Sequence, residues 1–567
     1  MDRKIGIIAP FVNEQFNADF ALRLNNGIEL TFKNILTIIK NNYDTDQTLK
    51  RIPDGINKFS AAGYYLSGFL RSHGFDTFLS AGEDEEALRK VASANPFAIC
   101  ISTSLINSKK FLKQLVNKVR SIMPEIPIIV GGILVWKSYL WYTKYSEENN
   151  SHPHHYRENQ LCSEFLFPTT KTELDVDVFV ISPDGCPTLL KVLQEFEKGR
   201  RADLSELPNL GLPARDGRFL LNPIIVEEID QDSIITRWDL LDTLPMQIPI
   251  RTSIGCPYRC AYCDFCQLIP KVFFRPVDSL KKELDLLNRI SSTGYHPTTN
   301  LFLTDDNVFC NEKRIAEVCN TIQESGLSKP WLGFLRASSI NQSNIKMIKD
   351  SGLFCALVGI ESGDKTQLHR MNRKQDVIQM KTGLEILDAA AICSIISLVI
   401  GFPGETIQSI DNTINFLNSL KYSNGFYSYY MFPFHLFPLS SIARPESRQK
   451  YNLKGVGSEW AHNTMSSHEV SHFMYQIFEK VIHLNYHYPS ESYLFLGQFT
   501  IPQRKGLTDI RRRLTLEYID AKSNSELGFT FKELSTALGV PNQPTPPAFF
   551  NEFAPLLTSK TSIHKIS

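Results

Sequence analysis

The sequence predicts an α/β protein: an N-terminal doubly wound parallel sheet, then a partial (β/α)6 barrel, then a mostly helical C-terminal region. Three observations predict it. Short apolar runs alternate with amphipathic stretches twice over, once within 1–200 and again within 247–440. Between the two series, 201–246 carries Pro208, Gly211, Pro213, Pro223 and Pro245 and reads as a linker. Beyond 441 the alternation stops, so 441–567 is expected to be a separate, mostly helical region on the substrate side. The chain has 567 residues, 43% hydrophobic and 21% charged, which is ordinary for a globular protein and ample for several cores.

In the first series, 5–10 reads as a strand, and 60–73 has apolar residues at helical spacing and ends at Gly74. Strands are expected at 75–79, 97–102, 126–130 and 176–181, with helices at 86–94, 111–123 and 187–198. Strands alternating with helices make a parallel, doubly wound sheet. Two insertions interrupt it, at 11–58 and 137–174. The second holds a His-Pro-His-His run at 152–155, read as a surface loop rather than a metal site. In the second series, strands are expected at 248–254, 300–304, 331–337, 353–360, 393–401 and 426–434. Helices are expected between them at 278–290, 311–325, 341–350, 375–390 and 406–420. Sites in such barrels lie at the carboxyl ends of the strands.

Charge and termini exclude some classes. Formal net charge is zero, so nothing asks for a nucleic acid partner, and the basic run Arg511-Arg512-Arg513 reads as a solvated helix face. The opening MDRKIGIIAPFVNEQF lacks the pattern of a secretory signal. No apolar run approaches the roughly 20 residues of a membrane span. Eleven cysteines without a signal suggest reduced thiols in the cytoplasm, some of them ligands.

The chemistry concentrates after the first barrel strand, in Ser253-Ile-Gly-Cys256-Pro-Tyr-Arg-Cys260-Ala-Tyr-Cys263-Asp-Phe-Cys266. Spacings of three and two let one loop aim three thiolates at a common point, as iron–sulfur clusters require. A zinc site that adds Cys266 is the alternative, although zinc usually draws ligand pairs from two separated segments. Later strand ends carry Asp305-Asp306, Arg336, Gly359-Ile360-Glu361-Ser362-Gly363 and Gly401-Phe-Pro-Gly-Glu405.

The Cys-x3-Cys-x-aromatic-Cys pattern, with Tyr262 as the aromatic residue, resembles the radical S-adenosylmethionine superfamily. The four later strand ends resemble that family's cofactor-binding ends, so the likeness covers about 247–437. It implies a [4Fe–4S] cluster on Cys256, Cys260 and Cys263, its open iron taking the amino and carboxylate groups of S-adenosylmethionine, and leaves Cys266 a bystander. It implies Asp305 and Asp306 near the cofactor's amino group. Glu361 and Ser362 would lie near its ribose and methionine parts, with Gly359 and Gly401 also at the cofactor. Arg336 would pair with its carboxylate, a guanidinium fork suiting that group.

The Rossmann-like N-terminal sheet resembles the cobalamin-binding domain of cobalamin-dependent (class B) radical S-adenosylmethionine enzymes. The matching strand ends are Ser102-Thr103-Ser104, Gly131-Gly132 and Ser182-Pro-Asp-Gly185, small residues that let a flat macrocycle approach the backbone. The Asp-x-His-x-x-Gly motif by which many cobalamin proteins ligate cobalt is absent, so cobalamin without a protein histidine on cobalt is implied. A sheet without cofactor is the alternative. A Gly-x-Gly-x-x-Gly fingerprint is missing, which disfavours nicotinamide.

The activity this resemblance implies is a methyltransferase acting on an unactivated carbon or on phosphorus, through a 5′-deoxyadenosyl radical and methylcobalamin. An electron donor such as flavodoxin or ferredoxin and a small-molecule or peptide substrate would be its partners. A radical rearrangement or cyclisation, and a noncatalytic cobalamin or cluster sensor, are the competing readings. Candidate substrate-side residues are Tyr427 and Tyr429 on the sixth strand, and Trp460 and His462.

Overall fold

The computed structural model describes residues 3–10, 60–148, 165–167, 174–199, 203–213, 219–225, 235–242, 244–292, 300–487 and parts of 500–509. The expected insertion at 11–58, the His-Pro-His-His run at 152–155 and Arg511–Arg513 lie outside these residues, as does most of the C-terminal region beyond 487.

The first sheet is ordered β2-β1-β3-β4-β5-β6-β7. Strands β1 (Lys4–Ile8), β2 (Asp76–Ser80), β3 (Ala98–Ser102), β4 (Ile128–Gly131) and β5 (Val178–Val180) run parallel. They are joined by α1 (Ala61–Ser72), α2 (Glu85–Ser93), α3 (Lys109–Ile122) and α4 (Ile133–Glu148), and α5 (Cys186–Glu197) follows β5. The strands are apolar on both sides because both faces are covered. Ile5, Ile7, Cys100 and Ile129 pack with Leu70 of α1 and Val192 of α5. Ile8, Ile99, Ile101 and Val130 pack with Leu88 of α2, Leu112 of α3 and Leu134 of α4. Ser60, Asp84 and Ser108 each accept a backbone N–H in the first turn of their helices, which fixes where α1, α2 and α3 start.

Two details differ from expectation. Residues 137–148, expected as part of a polar insertion, continue α4. Its polar positions do not break it, because the Ser138 hydroxyl is satisfied within the helix by the Leu134 carbonyl. Strands β6 (Leu210–Pro213) and β7 (Phe219–Leu221) fall in the stretch expected as linker and extend the sheet in antiparallel fashion.

The second sheet is ordered β19-β15-β14-β13-β12-β11-β8 and is parallel throughout. Its strands are β8 (Gln247–Ile250), β11 (Asn300–Leu303), β12 (Trp331–Leu335), β13 (Leu353–Glu361), β14 (Cys393–Ile400), β15 (Tyr427–Pro433) and β19 (Asn485–Tyr486). The first six match the expected runs. The seventh, two residues long, comes from the C-terminal region and is too short to leave a pattern. The intervening helices are α7 (Val277–Ser292), α8 (Glu312–Glu324), α9 (Ile345–Asp350), α10 (Lys365–Arg370), α11 (Val377–Ala389) and α12 (Ile407–Asn418). They cover one face only: Val358, Ile360, Ile396, Leu398, Tyr427, Tyr429 and Met431 pack with Leu284, Ile315, Leu384 and Ile410 of the helices. The other face holds Leu332, Phe354, Leu357, Ile395 and Phe426, with Phe302 and Tyr430 against them. The described C-terminal part is mixed, with α13 (Pro445–Tyr451) and α14 (Val470–Lys480) around a three-stranded antiparallel sheet of β16 (Lys454–Val456), β17 (Glu459–His462) and β18 (Met465–Ser466).

One glycine fixes how α11 meets the turn after β12. A Cβ on Gly383 would run into the Ala337 carbonyl and its neighbouring backbone atoms, so only glycine allows this approach. Gly383→Ala is expected to destabilise the fold by about 1–3 kcal/mol, the usual cost of overpacking. Chemical denaturation of the two proteins checks it, and an unchanged midpoint would show that the helix shifts without cost.

Candidate active site

Cys256, Cys260 and Cys263 lie on the loop between β9 (Ser253–Ile254) and the short helix α6 (Phe265–Leu268). The loop is held from several sides. Gly255 opens it at φ +95°, where a Cβ would meet the Lys271 carbonyl. Its N–H donates to Asp306 Oδ2 at 3.0 Å. Ala261 N–H donates to Met371 O, and Ala261 O accepts from Ile442 N. Asn372 Nδ2 donates to Arg259 O at 2.6 Å. Cys260 is buried, and Cys256 and Cys263 are half-buried. Among the described residues, no three His, Cys, Asp or Glu side chains are grouped so as to hold one metal ion. A cubane, in contrast, places its three thiolates on three separate irons.

The Cys260 sulfur faces two guanidinium groups. Arg373 Nη1 is 3.4 Å away and Arg336 Nη2 is 3.7 Å away. Arg336 also lies 3.1 Å over the Tyr258 ring and donates to Arg373 O. Arg373 pairs with Glu361 at 3.3 Å and donates to Gly359 O. Burial pushes the Glu361 carboxyl and the Tyr262 hydroxyl up, and burial together with Arg373 holds Arg336 down. Glu361 reaches this cluster because β13 bulges between Gly359 and Glu361 and Glu361 itself has φ +68°. A non-glycine residue in that region is strained, and such strain gathers at functional sites. Arg336, Gly359 and Glu361 are therefore brought together with Cys260. Arg373 and Tyr258 were missed; the Arg-Met-Asn-Arg373-Lys run after β13 was the available signal.

Other expected residues have different duties. Asp305 is fully buried. Its carboxylate accepts from Thr252 N at 3.1 Å, Thr252 Oγ1 at 2.9 Å and Ser253 Oγ at 2.5 Å. It braces the strand that leads into the cysteine loop instead of presenting itself to a ligand. Ser362 is occupied by Thr413 Oγ1 and by Asp364 N–H. Gly401, at φ +92°, gives its N–H to Glu405 and its carbonyl to His462 Nε2. A Cβ there would meet Trp460 and Val470, so Gly401 makes room for the C-terminal hairpin. Trp460 stacks on His462 with centroids 5.1 Å apart and donates to Phe434 O. Both are buried packing residues, not a substrate wall. Tyr427 and Tyr429 point into the helix-covered core, Tyr427 donating to Lys421 O. Strand alternation puts Tyr430 and Phe432 on the open face instead. Cys266 is buried, and its thiol approaches the Cys263 carbonyl and the Gln267 amide.

In the first sheet, β3, β4 and β5 are adjacent, so their ends bring Ser102–Ser104, Gly131–Gly132 and Ser182–Gly185 to one carboxyl edge. Thr103 is internal to it, donating to Gly131 O and accepting from Leu134 N. Ser102 and Ser104 share a hydrogen bond at 3.1 Å. Gly132 has φ +104°, and a Cβ there would crowd the Thr103 and Ser104 amides. Leu105 and Ile133 stand exposed beside them.

Residues 250–417 match the Radical SAM superfamily. This segment is a radical S-adenosylmethionine domain. Cys256, Cys260, Arg336, Glu361 and Gly401 all fall inside it. The chain is 25% identical over 256 residues to an uncharacterised methyltransferase of Pyrococcus horikoshii, covering 42% of this chain and 52% of that one. It is 22% identical over 368 residues to the anaerobic magnesium-protoporphyrin IX monomethyl ester cyclase of Cereibacter sphaeroides, covering 62% and 54%. The chain thus spans about half the length of these curated relatives. Its fold is similar to that of OxsB, a cobalamin-dependent S-adenosylmethionine radical enzyme solved with aqua-cobalamin bound. The TM-score is 0.53 at 14% identity, over 94% of this chain and 79% of that one. No helix among the described residues is long and apolar enough to cross a membrane.

Two outcomes test the site's construction. Asp305→Ala leaves one buried N–H and two hydroxyls without their acceptor, at roughly 1–3 kcal/mol each. It should reduce the iron retained after anaerobic reconstitution several-fold, whereas Cys266→Ala should retain it in full. Iron analysis decides, and full iron in Asp305→Ala would remove the bracing role. The second concerns Glu405, whose carboxyl burial pushes up to about 8. Between the ordinary carboxylate range and that value, the folded chain keeps a proton the unfolded chain has lost, so stability falls as pH rises. Glu405→Gln should flatten this fall in melting temperature between about pH 5 and about pH 8; parallel curves would contradict it.

Proposed function

We propose that this protein is a cobalamin-dependent radical S-adenosylmethionine methyltransferase acting on an unactivated carbon or on phosphorus. The residues fit the groups this requires. Three thiols on one braced loop can take a cluster, and two guanidiniums stand against the Cys260 sulfur. The observation that carries the cobalamin part is the carboxyl edge of the first sheet, where Ser102–Ser104, Gly131–Gly132 and Ser182–Gly185 converge beside the exposed Leu105 and Ile133. Flat cofactors lie against such edges. When bound, the cluster and S-adenosylmethionine supply radical chemistry and cobalamin supplies a methyl carrier.

The chain's own residues would bind, orient and shield. Cys256, Cys260 and Cys263 would hold the cluster. Arg336 has one guanidinium nitrogen toward Cys260 and its plane on Tyr258, so it would offer positive charge to a carboxylate at the open iron. Glu361, held by Arg373, would accept hydrogen bonds from the cofactor side. The buried hairpin at Gly401 would keep water away from the β14 end. An electron donor such as flavodoxin or ferredoxin would complete the system.

Anaerobically reconstituted protein is expected to carry one [4Fe–4S] cluster, lost on replacing any of Cys256, Cys260 or Cys263 with Ala. With dithionite it should release 5′-deoxyadenosine slowly. With cobalamin and methyl-labelled S-adenosylmethionine it should form labelled methylcobalamin, and its cob(II)alamin should show no nitrogen superhyperfine splitting from a protein histidine. Cobalamin binding without methyl label would move the assignment to rearrangement or cyclisation. No deoxyadenosine from clustered protein would favour a sensor, and no cobalamin uptake would refute the cobalamin-dependent reading.

A further inference from the structure

One buried polar contact joins the two halves of the proposed site. Helix α4 starts directly after Gly132, and its first turns carry Trp136 and Lys137. Helix α6 starts two residues after Cys263. Lys137 Nζ lies 2.5 Å from Asp264 Oδ2, and both side chains are nearly buried. One residue earlier on α4, Trp136 Nε1 donates to Leu268 O at the far end of α6 at 3.2 Å. Around them, Leu134, Val135 and Trp136 share an apolar core with Leu268, Leu439 and Val456. Two further groups face the ammonium. It sits 4.5 Å over the Phe437 ring. His435 is also near, but burial and then Lys137 itself hold its imidazole down to about 4, so it adds no competing charge at neutral pH.

We propose that the Lys137–Asp264 pair is a positioning joint that sets the cysteine loop against the carboxyl edge of the first sheet, and with it the gap between the cluster and cobalamin. This rests on the function proposed above. The physical case is one of separation. An apolar contact is non-directional and tolerates sliding. A buried ion pair adds little net stability over an apolar one but strongly penalises separation. Here it lies one residue from the ligand Cys263 at one end, and five residues from Gly132 at the other. Lys137 and Asp264 touch neither proposed cofactor's ligand atoms, so they act through the two segments that carry them.

The test compares Lys137→Met, which removes the charge, with Lys137→Arg, which keeps it. In full-length, cluster-loaded protein without cobalamin, amide hydrogen exchange in 260–269 should rise roughly 10-fold or more in Lys137→Met and stay near wild type in Lys137→Arg. Iron content should be equal in all three. With cobalamin, methyl transfer from S-adenosylmethionine to cobalamin should fall roughly 10- to 100-fold in Lys137→Met, since small misplacements of reacting groups cost this much. Cobalamin content should not change, and Lys137→Arg should retain the rate. Unchanged exchange in Lys137→Met, or raised exchange with an unchanged transfer rate, would overturn the proposal. If wild-type protein takes up no cobalamin, the proposed function fails, while the exchange comparison still decides whether the joint exists. Should Lys137→Met fail to fold, the double variant Lys137→Met with Asp264→Asn leaves no lone buried charge and carries the same expectations.

Discussion

Two buried guanidinium groups meet one thiol sulfur, and much of the second sheet is arranged around that meeting. Arg336 and Arg373 repel one another, and burial makes their charges costlier still. Glu361 offsets one of them. The Cys260 sulfur accepts from both. The bulge in β13 and the left-handed backbone at Glu361 make sense in this light, because they deliver the carboxylate that a regular strand would aim elsewhere.

The same requirement explains the bracing of the cysteine loop. The cysteine loop forms no sheet ladder, so its backbone must be satisfied piece by piece. Asp305 and Asp306 hold its approach, Met371 and Ile442 hold Ala261, and Asn372 holds Arg259. Two of these partners, Met371 and Asn372, lie in the segment that supplies Arg373, while Asp305 and Asp306 come from the end of β11. The acidic pair after β11 looked like ligand chemistry from the sequence, and the structure gives both Asp305 oxygens and one Asp306 oxygen to the loop and its approach, leaving Asp306 exposed. A carboxylate that organises backbone and one that faces a cofactor leave the same trace in a sequence.

Five strands of the first sheet and six of the second were legible, since buried parallel strands are apolar runs and each is followed by an amphipathic helix; β6, β7 and β19 were not. The cysteine loop was legible as a candidate site from its spacing. What the sequence hid were contacts between distant segments. Nothing in Trp460-Ala-His462 announces that it packs beneath Gly401, because a stacked Trp–His pair reads equally as a binding wall. Lys137 looked like the start of a polar insertion, and its partner Asp264 lies more than a hundred residues away. Tyr427 and Tyr429 were chosen over Tyr430 on one strand, where the period of two fixes relative faces but not which face is covered.

That period has a consequence for the barrel's open face. The helix-covered side takes Tyr427, Tyr429 and Met431, so Ser428, Tyr430 and Phe432 fall on the other side, with Tyr430 and Phe432 in ring contact at 4.7 Å. On the opposite flank Phe302 and Phe334 pair at 5.9 Å, and Phe334 is exposed although β12 is an interior strand. Leu332 stands on the same side of β12 and is fully buried, so the exposure belongs to the Phe334 end of the strand and not to the whole face. Aromatic groups thus line this side on β11, β12 and β15, while the Arg336 and Arg373 guanidiniums stay with the Cys260 sulfur beyond the strand ends.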